Sequence, residues 1–311
     1  MPQVKQTPDA FAASREIAER HLVQAHALGL DAHAGTLHTV RGRARVAQGD
    51  GDGIDEMVMG VELAERHDRP MLAVVARTYL AASLHHWRGP EAELAAREAM
   101  EEWAIAHDSH YVISYSIAER VRCLAELGRW REVVSLADTV DLAEAQPRWA
   151  AVQRALALHE LGELTLADVE LVRRTPPASD DDLRHVLGAM LVEGIWEPAR
   201  VDELVEGLGD LTPYAERDGA VELLPRLIRM APDRDYTALR RADESTPLAA
   251  ALTPHINGLV SHDCTLLLLA AERWRALGQT VEADLAAADA AAAAGTARSG
   301  PFSAQPTGDG G

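Results

Sequence analysis

The chain has 311 residues, more than one compact core usually organises, so two domains or one elongated array are expected. Hydrophobic residues make up 47% of the sequence but include only two Phe, and a content drawn mainly from Ala, Leu and Val favours helices over strands. The net charge of −19 argues against general affinity for nucleic acid or an anionic membrane surface, although a local basic patch stays compatible with it.

The N-terminal region predicts one long helix. Residues 1–7 are expected to be disordered, and the segment lacks the basic-then-apolar order of a signal peptide. No stretch of the chain approaches 18 uninterrupted apolar residues, so we expect a cytoplasmic protein. Residues 8–28 are typical of the second helix of a hairpin, which makes this helix either a cap or the start of an array that is entered part-way.

Glycines then recur at the junctions between apolar helical stretches. Gly49, Gly89, Gly128, Gly162, Gly194 and Gly278 are spaced by 40, 39, 34, 32 and 84 residues. Each is expected to end a first helix in the left-handed conformation before a second helix begins. Helical hairpins of this length repeat in solenoids of the tetratricopeptide class.

The second helices predict their own boundaries. They end in AHALGLDAH, AERHDRPML and AIAHDSHYV, and we expect Asp31, Asp68 and Asp108 to be the N-caps of the helices that follow. In the third repeat, Ile113, Val121 and neighbouring apolar residues lie on one helical face, which stacked hairpins would bury.

The C-terminal part completes the array. The long final interval predicts one degenerate copy within residues 212–250, and residues 296–311 are rich in Gly, Ser and Pro and are expected to be disordered. The predicted fold is therefore an all-α, tetratricopeptide-like α-solenoid of about six to seven helical hairpins over residues 8–295.

Two segments carry a resemblance to a known class of proteins. LAELGRWREVVSLAD, together with the preceding ARTYLAASLHHWRGPEAELAAREAMEEWAIAHDSHYV, resembles the tetratricopeptide-like C-terminal region of large bacterial signalling ATPases. These include nucleotide-cyclase-associated proteins and LuxR-type regulators. The resemblance covers residues 12 to about 175 and implies a region that senses a ligand or partner and regulates an upstream ATPase.

Motifs for catalysis or cofactors are weak in this sequence. Lys5 is the only lysine and follows Val4, so a Walker A motif is excluded, and no helix-turn-helix is recognisable near the C-terminus. The Asp pair in GDGDGIDE (residues 49–56) departs from a calcium loop, and SDDDLRH (residues 179–185) departs from a magnesium-binding Asp motif.

Single residues that could bind metals or act as nucleophiles are also better explained by structure. His pairs such as His21 and His26 are not spaced as zinc ligands on one helix, and SHDC (residues 261–264) indicates a buried helix start. Cys123 and Cys264 fit reduced, partly buried thiols. We therefore predict no catalytic residues, no metal site and no cofactor.

The remaining candidate is a surface on the first helices. Alignment of the repeats on their glycines places an aromatic and basic stripe along the predicted groove, and aromatic and Arg side chains are favoured binding anchors. The predicted binding residues are Arg43, Tyr79, Tyr115, Arg122 and Trp149. The alternative is that Trp149 and the tyrosines pack between repeats.

These observations predict a non-enzymatic protein-interaction or regulatory module of a bacterial signalling or transcription-control system. Its expected partner is a peptide or protein domain, such as an ATPase or cyclase domain, and neither nucleic acid nor membrane is expected to bind directly. A small-molecule sensor is the alternative, and a helical hydrolase or cyclase is a third possibility. An open groove would favour the first function, a large pocket the second, and convergent carboxylates the third.

Overall fold

A computed structural model describes residues 8–140, 148–175, 177, 182–211 and 220–298. These residues form an all-α, solenoid-like array of helical hairpins, and no strand occurs among them. The helices are α1 (Pro8–Ala27), α2 (Asp31–Ala47), α3 (Gly53–Arg66), α4 (Pro70–Arg88), α5 (Pro90–Ala106), α6 (His110–Glu126), α7 (Trp130–Ala137), α8 (Arg148–Glu160), α9 (Leu166–Arg174), α10 (Leu183–Trp196), α11 (Val201–Gly207), α12 (Leu224–Met230), α13 (Pro247–Ser261), α14 (Cys264–Ala276) and α15 (Thr280–Arg298). Short 3-10 helices cover Pro198–Arg200, Val221–Leu223 and Thr237–Leu239. The predicted disorder of residues 1–7 and 299–311 falls outside the described residues, whereas residues 296–298, which were also predicted to be disordered, form the end of α15.

The turn glycines are confirmed at five of the six predicted positions. Gly128 and Gly162 have φ of 71° and 70°, and Gly49, Gly89 and Gly278 also have positive φ. These residues join α2 to α3, α4 to α5, α6 to α7, α8 to α9 and α14 to α15. Because a Cβ is unfavourable in this conformation, glycine is the residue that lets each hairpin turn.

Gly194 does not form the turn that its spacing predicted. It lies inside α10, and the chain turns afterwards at Glu197 and the 3-10 helix Pro198–Arg200. A Cβ at Gly194 would lie 2.5 Å from Met230 Sδ. This glycine therefore permits close helix packing rather than a left-handed turn.

The three aspartates expected to be N-caps also occupy different positions. Asp31 is the first residue of α2, after Leu30 at the N-cap. Asp68 and Asp108 have φ of 51° and 53°, so they follow the preceding helices in the left-handed conformation, which Asp tolerates better than most residues.

The C-terminal helices fold back onto α4 and α6, each of which is the first helix of a hairpin. α13 packs on α4, and α15 contacts α6. The C-terminal part of the chain also lies close to two turn glycines. A Cβ at Gly89 would lie 2.0 Å from Leu277 O, and one at Gly128 would lie 2.9 Å from Val281 Cγ2. The face of α4 and α6 that was expected to line an open groove is therefore covered by the chain itself.

The largest apolar core lies in the second half of the chain. It extends from Trp149 on α8 to Ala286 on α15 and includes the fully buried Leu187, Leu227 and Ile256. The predicted degenerate copy contributes α12 and part of α13 to this core, although residues 212–219 fall outside the description. None of the described helices combines the length and apolarity needed to cross a membrane.

Candidate functional site

The structure separates the predicted binding residues by exposure. Arg43 on α2 and Tyr79 on α4 are half-buried, and the Arg43 guanidinium carbon lies 4.2 Å from the centre of the Tyr79 ring. Tyr115 on α6 is half-buried, and the guanidinium carbon of Arg97 lies 5.0 Å from the centre of the Tyr115 ring. The Arg43–Tyr79 pair keeps part of the predicted stripe at the surface, whereas Tyr115 packs on Arg97, which is only 1% exposed.

Arg122 and Trp149 do not lie on an open groove. Arg122 is only 7% exposed, and Trp149 is 4% exposed and belongs to the main apolar core. The Trp149 ring packs under Arg184, whose guanidinium carbon is 4.7 Å from the ring centre. Both residues therefore pack inside the molecule. This is the alternative that was anticipated for Trp149, whereas the prediction that Arg122 lines an open groove is wrong.

Arg122 lies at the centre of a buried charge cluster between the array and the C-terminal helices. Its Nε donates to Glu119 at 3.0 Å, its Nη1 donates to Glu126 at 2.5 Å, and its Nη2 donates to Glu93. Glu93 is fully buried and also accepts from Arg97 at 2.9 Å. Ion pairs in such a dry site need this density of hydrogen bonds to offset desolvation.

The cluster reaches the C-terminal part of the chain through His85 near the end of α4. Its Nδ1 lies 3.2 Å from Glu93 Oε2 and 3.5 Å from Glu126 Oε2, and its Nε2 lies 3.7 Å from Glu222 Oε1. Burial alone would lower the pKa of His85, but the surrounding carboxylates outweigh it and raise this pKa to about 9.

The acidic members of the cluster differ in their ionisation. Burial opposes ionisation of every one of them. For Glu222 the hydrogen bond and charge of His85 prevail and lower its pKa to about 2, whereas for Glu126 burial prevails and the pKa is raised. Arg122, His85 and Arg97 together lower the pKa of Glu93 against the effect of burial.

A small cavity of about 50 Å³ adjoins this cluster. Its polar lining includes Arg122, Glu126, Glu222, Gln279 and Glu282. The Oε1 atom of Glu282 accepts from Arg226, while its buried Oε2 has no hydrogen-bond partner among the described residues. This volume accommodates a few water molecules or an ion, but no larger molecule.

A second, larger cavity of about 460 Å³ lies among α12, α13, α14, α15 and the segment after α12. Its apolar walls include Ile228, Leu259, Val260 and Leu267. Cavities of this size, mostly apolar with a few polar groups, are typical of small-molecule sites.

Two residues that line this second cavity each carry a buried donor without a partner within the described structure. Tyr236 is 3% exposed, and its hydroxyl makes no hydrogen bond. Arg229 binds Asp289 through Nε at 2.8 Å, but its buried Nη1 makes no hydrogen bond. Buried polar groups are rarely left unpaired, so two such donors beside one cavity are unusual.

The weak sequence motifs have structural roles. Asp50 accepts from the backbone N–H of Asp52 and pairs with Arg45 at 2.7 Å, so GDGDGIDE forms a turn that leads into α3. Asp182 accepts from the backbone N–H of His185 at the start of α10, while residues 178–181 are not described.

The SHDC segment and the cysteines also take structural positions. Asp263 caps α14 as the predicted helix start requires, although the side chain is exposed rather than buried. Cys123 is buried, Cys264 is half-buried, and both are free thiols as predicted.

Sequence reasoning missed both cavities and the buried cluster. His85 and Glu93 flank the turn at Gly89, but Glu222 lies far along the chain, so no local spacing joins them. A usable signal was the number of charged residues on the apolar faces of first helices, since Glu119, Arg122 and Glu126 recur at helical spacing on α6.

The comparisons with known proteins assign this chain to no group. It matches no protein-family model, and none of the curated proteins compared with it is similar to it.

Proposed function

We propose that the protein is a non-enzymatic regulatory module that senses a small molecule in the cavity of about 460 Å³. The observation that carries the proposal is the pair of buried, unpartnered donors on Arg229 and Tyr236. The resemblance to repeat regions of bacterial signalling ATPases supports a regulatory role. The covered face of α4 and α6 argues against the other version of this role, a peptide held in a long open groove.

The donors define the chemistry of the ligand. Arg229 Nη1 and the Tyr236 hydroxyl both donate, so the ligand carries a carboxylate or another strong acceptor. Ile228, Leu259 and Leu267 then surround an apolar body. We therefore infer a small organic acid with a hydrophobic portion as the ligand class.

The test is a thermal-shift and calorimetric survey of small aliphatic and aromatic carboxylic acids. We expect at least one acid to bind the wild-type protein, and Tyr236→Phe to weaken that acid about tenfold, because a hydrogen bond to a charged acceptor is worth roughly 1.5 to 3 kcal/mol. Tyr111→Phe is the control, since Tyr111 is 62% exposed on α6. Equal affinity for wild type and Tyr236→Phe would show that the cavity is not the sensor.

A protein partner at Arg43 and Tyr79 is the second candidate function. These two side chains are the part of the predicted stripe that stays accessible, and their 4.2 Å stacking holds the guanidinium over a fixed ring. Arg43→Ala and Tyr79→Ala would each weaken binding of an upstream ATPase or cyclase domain in a purified binding assay. Retained binding by both folded variants would place the partner elsewhere.

A further inference from the structure

We propose that His85, Glu126 and Glu222 bind one divalent first-row transition-metal ion at the junction between the array and the C-terminal helices. One potential ligand atom from each residue lies within 4.8 Å of the other two. The three residues come from α4, α6 and the 3-10 helix Val221–Leu223, so an ion there would tie together three separate elements. This site is independent of the proposed small-molecule cavity.

The directions of the carboxylates leave ligand atoms available. Glu126 uses Oε1 to accept from Arg122, while its Oε2 faces His85 Nδ1 at 3.5 Å and accepts a long hydrogen bond of 3.5 Å from Gln279. Glu222 Oε1 faces the other side of the imidazole at 3.7 Å, where Arg122 Nη1 also lies 3.4 Å from His85 Nε2. On binding an ion, one imidazole nitrogen and two carboxylate oxygens, now within 4.8 Å of one another, would move to metal–ligand distances of about 2.0 to 2.2 Å.

Two buried atoms point to an additional group at this position. His85 is 2% exposed, and its Nδ1 lies near Glu93 and Glu126 without a hydrogen bond of acceptable geometry to either. Glu282 Oε2, in the adjoining cavity, is likewise buried without a partner. The cavity of about 50 Å³ has room for water molecules that complete the coordination of an ion.

The charge balance of the cluster favours a cation. Four carboxylates, those of Glu93, Glu119, Glu126 and Glu222, face the guanidinium groups of Arg97, Arg122 and Arg184. The carboxylates outnumber the guanidinium groups by one, and an excess of negative charge in a buried site is costly, so a cation is favoured there. An imidazole with two carboxylates suits Mn²⁺, Fe²⁺ or Zn²⁺ better than Mg²⁺ or Ca²⁺, which prefer all-oxygen sites.

The test begins with protein dialysed against a chelator and then titrated calorimetrically with Mn²⁺, Zn²⁺ or Mg²⁺. Wild type is expected to bind one Mn²⁺ or Zn²⁺ per chain and to bind Mg²⁺ more weakly. His85→Gln and Glu222→Gln should each weaken Mn²⁺ and Zn²⁺ at least tenfold. Glu119→Gln is the matched control, because Glu119 pairs with Arg122 and Arg184 in the same cluster but is not a ligand, and its affinity should stay within about threefold of wild type.

Pulsed electron paramagnetic resonance of Mn²⁺ on the wild-type protein provides a readout that needs no variant. Coupling to an imidazole nitrogen is expected. Its absence, or the failure of wild type to bind any of the ions, would overturn the proposal. Equal losses in His85→Gln and Glu119→Gln would likewise overturn it, since binding would then follow the integrity of the ion cluster rather than the ligand set.

Discussion

Gly89, Gly128 and Gly162 all have positive φ but differ in what lies beside them. The φ values of Gly128 and Gly162 are 71° and 70°, whereas Gly89 combines φ of 82° with ψ of −177°, a region essentially restricted to glycine. A Cβ at Gly162 meets open space. At Gly128 and Gly89 it meets Val281 and Leu277, which belong to the C-terminal part of the chain.

These differences predict an order of stability losses for substitution by Ala. Gly162→Ala should cost about 1 kcal/mol for the left-handed backbone alone. Gly128→Ala should cost more because the flexible Val281 side chain must shift, and Gly89→Ala should cost at least about 3 kcal/mol because the backbone carbonyl of Leu277 cannot yield. Urea unfolding of the three variants measures this order, and equal losses would contradict the packing of the C-terminal helices on these turns.

Helix boundaries show how far the sequence predicts the elements. Glycine between two apolar periodic stretches predicted five turns, because a left-handed residue is the commonest way to end a helix. Gly194 has the same local pattern but serves close packing against Met230, which only the tertiary structure reveals. The N-caps of α4 and α6 are Arg69 and Ser109, one residue after Asp68 and Asp108. The prediction failed because Asp is favoured both as an N-cap and in the left-handed conformation that these two residues adopt.

The corrected position of Asp108 leads to a testable contrast with Asp263. Asp108 has φ of 53° and is highly exposed, so Asp108→Gly should stabilise the protein by roughly 0.5 to 1 kcal/mol through relief of left-handed strain. Asp263 accepts from the backbone N–H groups of Thr265 and Leu266 at the start of α14, so Asp263→Gly gains nothing and Asp263→Ala should cost about 1 kcal/mol.

Thermal unfolding and urea midpoints of the three variants measure this contrast. A destabilised Asp108→Gly would restore Asp108 as the cap of α6. An unchanged Asp263→Ala would show that the two backbone hydrogen bonds at α14 contribute little.

The whole molecule differs from the sequence prediction because the C-terminal helices pack back onto the array. Repeats and helical faces follow from local spacing, so the hairpins and the inward orientation of the first helices were predictable. The approach of Glu222 to His85, or of Gln279 to Glu126, depends on how the array curves back on itself, and no spacing within one helix encodes it. For the same reason, Arg122 was expected to face a partner and instead faces the chain's own C-terminal part.

The burial of Arg122 reverses the expectation for its substitution. A groove arginine would be dispensable for folding, but this guanidinium neutralises Glu93, Glu119 and Glu126 inside the molecule. Arg122→Met leaves three carboxylates without their shared partner, and breaking a buried ion cluster in this way typically costs 3 to 5 kcal/mol, so we expect roughly that loss. Urea unfolding in a chelating buffer measures it without interference from metal ions.

Two further variants separate this cause from a simple loss of side-chain volume or surface charge. Arg131→Met removes an arginine that is 70% exposed and pairs with Glu163, and it should change stability by less than about 1 kcal/mol. Adding Glu93→Gln to Arg122→Met removes one of the stranded buried charges, so the double variant should be more stable than Arg122→Met alone. If Arg122→Met and Arg131→Met unfold at the same midpoint, the cluster does not hold the array against its C-terminal helices. If the double variant is less stable than Arg122→Met, Glu93 is stabilised by Arg97 and His85 without help from Arg122.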